Sequence, residues 1–137
     1  MIAPELAAAV LATYHVWSRT VDAVGPALAG HDLTEATFQA LWLIDPDEPS
    51  PSMKVMAERL HCNAPNLTFV ASQLIDRGLV DRAVDPADRR SRVLVLTPKG
   101  RQVRAELVEA VTCGSPLAKL PAEDQLQLAA LLGRALE

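Results

Sequence analysis

Near the start of the chain, apolar residues recur every three or four positions, at Leu6, Val10, Trp17, Val21, Val24 and Leu28, with Thr13 as a borderline member. That spacing predicts a long amphipathic helix. Pro4 and Gly30 are natural boundaries, and Pro26 is expected to bend or break the last turn. A second stripe through Ala7, Tyr14 and Leu28 makes the apolar face wider than a short domain requires, so the helix is expected to pack against a partner chain as well. Thr34, with Glu35 and Thr37, opens a second helix whose Phe38, Leu41, Trp42 and Ile44 face a core, and the run D-P-D-E-P-S-P closes it.

Ser52 is the expected cap of a short third helix, M-K-V-M-A-E-R-L, with Val55, Met56 and Leu60 inward and Lys54, Glu58 and Arg59 in water. His61-Cys62 forms a tight turn, and Asn63 caps a fourth helix from Ala64 to Arg77. Around that helix Leu67, Val70, Ala71, Leu74 and Ile75 gather on one side, with Pro65, Phe69, Ser72, Gln73 and Asp76 on the other; Gly78 ends it. The period then changes. L-V-D-R-A-V from Leu79 and R-V-L-V-L from Arg92 read as two short strands. The tip between them, D-P-A-D-R-R-S, turns at Asp85-Pro86, places Asp88 to pair with an arginine two residues on, and projects Arg89, Arg90 and Arg92. Thr97 caps a fifth helix with Pro98 at its first position, and Val103, Leu107 and Val111 continue its apolar stripe. T-C-G-S-P interrupts that stripe, and a last helix follows with Leu126, Ala129, Leu132 and Leu136 in register.

Two helices joined by a short turn, followed by a hairpin, are the plan of a winged helix-turn-helix, in which the second helix enters a major groove. The expected fold class is therefore mainly α (α+β), with a two-stranded β-hairpin wing. Charge changes the picture locally. The net charge of -4 opposes a protein that coats nucleic acid, yet Arg77 to Arg104 holds eight basic residues against three acidic ones, a local +5. Phosphate binding depends on where cations cluster, so one DNA-facing side is compatible with an acidic whole. A merely solvated charged hairpin is the plainer reading of the same residues.

The words L-T-E-A-T-F-Q-A-L from Leu33, M-A-E-R-L from Met56, N-L-T-F-V-A-S-Q-L-I-D-R-G-L-V from Asn66 and D-P-A-D-R-R-S-R-V-L-V-L-T-P-K-G-R from Asp85 resemble the multiple-antibiotic-resistance regulator (MarR) family of bacterial transcription regulators. The resemblance covers roughly residues 33 to 104. It implies an N-terminal dimerisation helix over 1–32, a winged helix-turn-helix over 33–100 and C-terminal dimerisation helices over 101–137, within one compact domain. It also implies a homodimer on a palindromic operator of double-stranded DNA, with recognition helices about 34 Å apart to meet successive major grooves. A repressor is the expected form. Asn66, Thr68, Phe69, Ser72 and Gln73 would occupy the groove-facing helix, with asparagine or glutamine reading adenine and an apolar side chain touching a thymine methyl. Thr68 and Ser72 suit phosphate oxygens. Arg90 would be the wing's minor-groove or phosphate contact, flanked by Arg89 and Arg92.

This chain departs from the family in one place. Where relatives often carry an arginine early in the groove-facing helix it has Phe69, and no basic residue precedes Arg77 in that helix. Three readings stand: wing-dominated recognition, apolar contacts by Phe69, or a winged-helix protein-interaction module that has lost DNA binding. Phe69 as core in a rotated helix is a fourth.

The resemblance further implies a cleft for a small-molecule effector, lined here by Tyr14, Trp17, His31 and Trp42, which as core residues would need no ligand. A small aromatic anion suits such rings. Cys62 and Cys113 read either as buried structural residues or as thiols whose oxidation shifts the DNA-reading heads, as in thiol-sensing relatives. Two distant cysteines form neither a disulfide framework nor a zinc pattern, and His15, His31 and His61 are too scattered to hold a metal. No cofactor is expected, and no catalytic motif supports an enzyme. The chain lacks an apolar run long enough for a membrane span, and M-I-A-P-E-L lacks the basic start of a secretory signal, so a cytoplasmic protein is expected.

Overall fold

Side-chain caps set where the helices begin. In the computed structural model, which describes residues 1–137, the Thr34 N–H donates to the Thr37 hydroxyl at 2.9 Å and the Thr37 N–H donates back to the Thr34 hydroxyl at 3.3 Å. This reciprocal box satisfies two otherwise orphaned donors and starts helix α2, Glu35–Trp42, after the first helix α1, Pro4–Gly30. Ser52 accepts from the Val55 N–H at 3.1 Å and opens α3, Met53–Leu60; Asn63 accepts from the Asn66 N–H at 2.9 Å and opens α4, Ala64–Asp76. Between them His61 takes a left-handed conformation (φ 51°), which turns the chain within three residues. Strands β1, Val80–Val84, and β2, Arg92–Leu96, pair antiparallel from Val80 opposite Leu96 to Val84 opposite Arg92. Helix α5, Pro98–Gly114, a 3-10 turn at Pro116–Lys119 and α6, Ala122–Ala135, complete the chain. This is the mainly helical, winged arrangement that the pattern predicts.

Pro26 does not break α1. The helix runs through it to Gly30, because Val24 and Leu28 on either side are both buried and hold the last turns in place.

The chain divides into two units, Met1–Gly25 with Glu109–Glu137, and Pro26–Val108. In the first, Thr20, Val24 and Val111 are buried, and the Thr20 hydroxyl donates to Val16 O at 2.7 Å and lies 3.0 Å from the Ser115 hydroxyl. The α1 and α5 backbones cross so closely that a Cβ at Gly114 would lie 2.8 Å from Ala23 Cβ. In the single chain much of the apolar stripe is open: Leu6, Val10, Tyr14 and Trp17 on α1, and Leu126, Leu132 and Leu136 on α6.

The second unit holds most of the core. Phe38 and Leu41 from α2, Met56 from α3, Leu67, Ala71 and Leu74 from α4, Val80 and Leu94 from the hairpin and Leu107 from α5 are all buried. The residues before α3 also join the wing, since Leu94 N–H donates to Pro51 O at 3.0 Å and Ser52 bridges to Val93. Two guanidinium groups close the C-terminal end of α2: Arg104 donates to Trp42 O at 2.7 and 3.2 Å, and Arg59 donates to Leu43 O at 3.0 Å.

The L-T-P-K-G segment has a clear structural task. The Thr97 hydroxyl donates to Gly78 O at 2.6 Å, the Thr97 N–H to Leu79 O at 3.1 Å and the Lys99 ammonium to Arg77 O at 3.1 Å, so the start of α5 holds three successive carbonyls after α4. Gly100 N–H donates to the Thr97 hydroxyl at 2.9 Å, which caps α5.

Asn63→Ala removes the cap of α4. It is expected to lower stability by about 1 kcal/mol, read from the urea midpoint, with Asn63→Asp close to wild type. An unchanged midpoint in the alanine variant would refute the capping role.

Candidate nucleic-acid interface

The hairpin tip is organised by its aspartates. Asp85 Oδ1 accepts the Ala87 N–H at 2.9 Å, and Asp88 Oδ1 accepts the Arg90 N–H at 3.0 Å while its Oδ2 lies 3.3 Å from the donating Ser91 hydroxyl. The expected pairing of Asp88 with Arg90 is therefore to the backbone and not to the guanidinium. A carboxylate that caps its own turn in this way fixes the loop while leaving the cation uncommitted. Arg89 and Arg90 are exposed, and neither guanidinium has a protein acceptor. Arg92 Nη1 donates to Arg89 O and Ser91 O, each at 3.2 Å, and so braces the tip.

Helix α4 shows Asn66, Thr68, Phe69 and Ser72 to solvent, with Gln73 half-buried. Phe69 is 64% exposed, which rules out its reading as core. The Thr68 hydroxyl donates to Ala64 O at 2.9 Å, so its proton is taken up within the helix. Phe69, Asn66 and Gln73 line a groove of about 360 Å³ with Thr34 and Gln39, which brings α2 to the edge of the exposed face. On the other flank, a groove of about 600 Å³ runs between α3, the first turns of α4 and the hairpin, and Lys54, Arg82 and Arg92 line it. Sequence reading missed Gln39, Lys54 and Arg82.

The other candidates are dispersed. Tyr14 and Trp17 are exposed on α1 in the first unit. In the second unit His31 Nε2 lies 3.2 Å from Glu106 Oε2, and the half-buried Trp42 stacks on Phe38 with ring centroids 5.4 Å apart. Neither cysteine is fully buried: Cys62 is half-buried and lines both grooves, and Cys113 is exposed. No three of His, Cys, Asp and Glu come together as a metal-binding group, and no helix is long and apolar enough to cross a membrane.

Comparison with known proteins gives the same picture. The MarR family model matches residues 33–91. The HTH-type transcriptional regulator PetP of Rhodobacter capsulatus is 36% identical over 80 residues, which are 58% of this chain and 48% of PetP. The chain thus spans about half the length of that curated relative. Among solved structures, the transcriptional repressor CouR bound to a 23-mer DNA duplex superposes with a TM-score of 0.74 at 28% identity, covering 100% of this chain and 99% of that one. CouR from Rhodococcus jostii bound to p-coumaroyl-CoA gives 0.75 at 23% identity over 87% and 85% of the two chains. A MarR-family transcriptional regulator from a Rhodococcus species gives 0.77 at 22% identity over 96% and 94%.

Proposed function

We propose that this chain, which belongs to the MarR family of winged helix-turn-helix transcriptional regulators through residues 33–91, is a homodimeric repressor of palindromic double-stranded DNA. The observation that carries the proposal is the wing: Arg89 and Arg90 project from a loop held by its own aspartates, with no protein acceptor to compete for them. A thin tip bearing free arginines suits a minor groove, whose negative potential attracts them. Beside it, α4 offers Asn66, Phe69, Ser72 and Gln73 to the neighbouring major groove. The first unit supports the dimer, because Leu6, Val10, Trp17, Leu126 and Leu136 lie exposed where so few residues are buried. Large apolar side chains left exposed in such number are commonly covered by a partner. The protein acts by binding and not by catalysis.

An aromatic anion is the proposed effector. CouR was solved with DNA and with p-coumaroyl-CoA, a ligand that carries an aromatic ring and negative charge. Its release of DNA requires tighter binding to one conformation than to the other.

The test is equilibrium binding of the purified protein to duplexes from upstream of its own gene and to random duplexes across a salt series. Selective binding that weakens steeply with salt is expected. Binding no better to upstream than to random DNA at any salt would sink the operator reading. It would favour the second one, a protein-interaction module, to which the uncharged face around Phe69 lends itself.

Phe69 gives base selectivity its own readout. Replacing a contacted thymine by uracil removes one methyl group and is expected to weaken wild-type binding about fourfold, the value of one buried methylene. The Phe69→Ala variant should be indifferent to the same replacement. Equal sensitivity in both proteins at every thymine of the site would exclude the methyl contact.

A further inference from the structure

We propose that the groove between α3, α4 and the hairpin is the channel for one sugar-phosphate strand of the DNA, and that Lys54 and Arg82 bind its phosphates. This rests on the DNA-binding reading. If α4 lies in a major groove and the wing in the adjoining minor groove, the backbone strand that separates those grooves has to pass between them. The passage in this molecule is the groove of about 600 Å³ on the hairpin side of α4.

Its walls have the right charge. Arg82 pairs opposite Leu94 and Val84 opposite Arg92, and directly paired residues project from the same face of a hairpin. Arg82 and Arg92 therefore share one face, which turns toward the groove. Lys54 from α3 stands on the facing wall, and Ala64 and Thr68 bring the first turns of α4, the positive end of that helix's dipole. The ion pairs of the protein are His31 with Glu106, Arg59 with Glu48 and Arg77 with Asp32. None uses Lys54 or Arg82. Glu58 is the opposing charge on this wall; it lies one turn from Lys54 on α3, yet the two do not pair. Three cations against one carboxylate in an open groove suit a polyanion laid along it. Phosphate binding at this place would also compensate for α4, which carries no basic residue between Ala64 and Asp76.

The experiment uses the full chain and a duplex that it binds selectively, with binding followed by fluorescence anisotropy from low to high salt. Lys54→Gln with Arg82→Gln is expected to flatten the slope of log affinity against log salt by about two, one for each phosphate no longer neutralised, and to weaken selected and random duplexes alike. Glu58→Gln should act in the opposite direction and tighten binding severalfold. Arg82→Lys, which keeps the charge, should keep the slope. Uncharged methylphosphonates in the strand between the two grooves should weaken wild-type binding and leave the double variant almost unaffected. All three variants change exposed side chains, and matched unfolding midpoints verify their folding. An unchanged slope in the double variant, alongside a flatter slope in Arg90→Ala, would overturn the channel and leave the DNA-binding reading intact. Wild-type protein that binds no duplex selectively would overturn the reading itself.

Discussion

Gly100→Ala is expected to lower the free energy of unfolding by about 3 kcal/mol, the upper part of the range for forced overpacking. An added Cβ would lie 1.8 Å from Leu79 O, 2.8 Å from Leu79 C and 3.2 Å from Leu79 Cα. All three are backbone atoms, so no side-chain rotation relieves the clash. The start of α5 would have to move away from the turn after α4, and the bonds from Thr97 to Gly78 and Leu79 and from Lys99 to Arg77 would go with it. Urea unfolding at one fixed protein concentration checks this, since any self-association would make apparent stability depend on concentration. Gly25→Ala is the control: a Cβ there meets nothing within 4 Å, and alanine is favoured over glycine inside a helix by about 1 kcal/mol. A Gly100→Ala midpoint equal to wild type would show that the close approach costs nothing.

Arg90→Ala is expected to weaken DNA binding about tenfold near physiological salt, and Arg89→Ala with Arg90→Ala about a hundredfold. Removing one arginine from a phosphate or a minor groove flattens the salt slope by about one. Stability should not change, because neither guanidinium bonds to the protein and the turn is held by Asp85, Asp88 and Ser91. That separation is the diagnostic. Gly100→Ala would damage the fold and binding together, whereas the wing variants would damage binding alone. Anisotropy titrations of folded, midpoint-matched protein measure the effect, and wild-type affinity in the double wing variant would remove the wing from the interface.

The wing expectation shows what a sequence carries in plain form. Thr34, Ser52, Asn63 and Thr97 mark helix starts because a capping side chain acts on an N–H only two or three residues ahead. The strands and the exposure of Phe69 on α4 follow from short periodicities for the same reason. Such signals are local.

Other features depend on partners far along the chain. The need for glycine at Gly100 comes from Leu79, and the helical run through Pro26 from the burial of Val24 and Leu28. The proline-rich loop reads as a helix terminator, yet its last residues also extend the wing through Pro51 and Ser52. Lys54 and Arg82 read in sequence as two ordinary surface cations, because nothing local says that α3 and β1 line one groove. The Asp88–Arg90 spacing was legible, but whether the carboxylate meets a guanidinium or a backbone N–H depends on the turn's geometry.

By itself, then, the sequence determined the order of helices and strands, their caps and the placement of arginines on the wing. These follow from hydrogen bonds and periodicities that reach only a few residues. The tertiary structure decided which cations stay unpaired, which apolar faces stay open and which backbones touch. Those are properties of surfaces brought together from distant parts of the chain, and packing alone selects them.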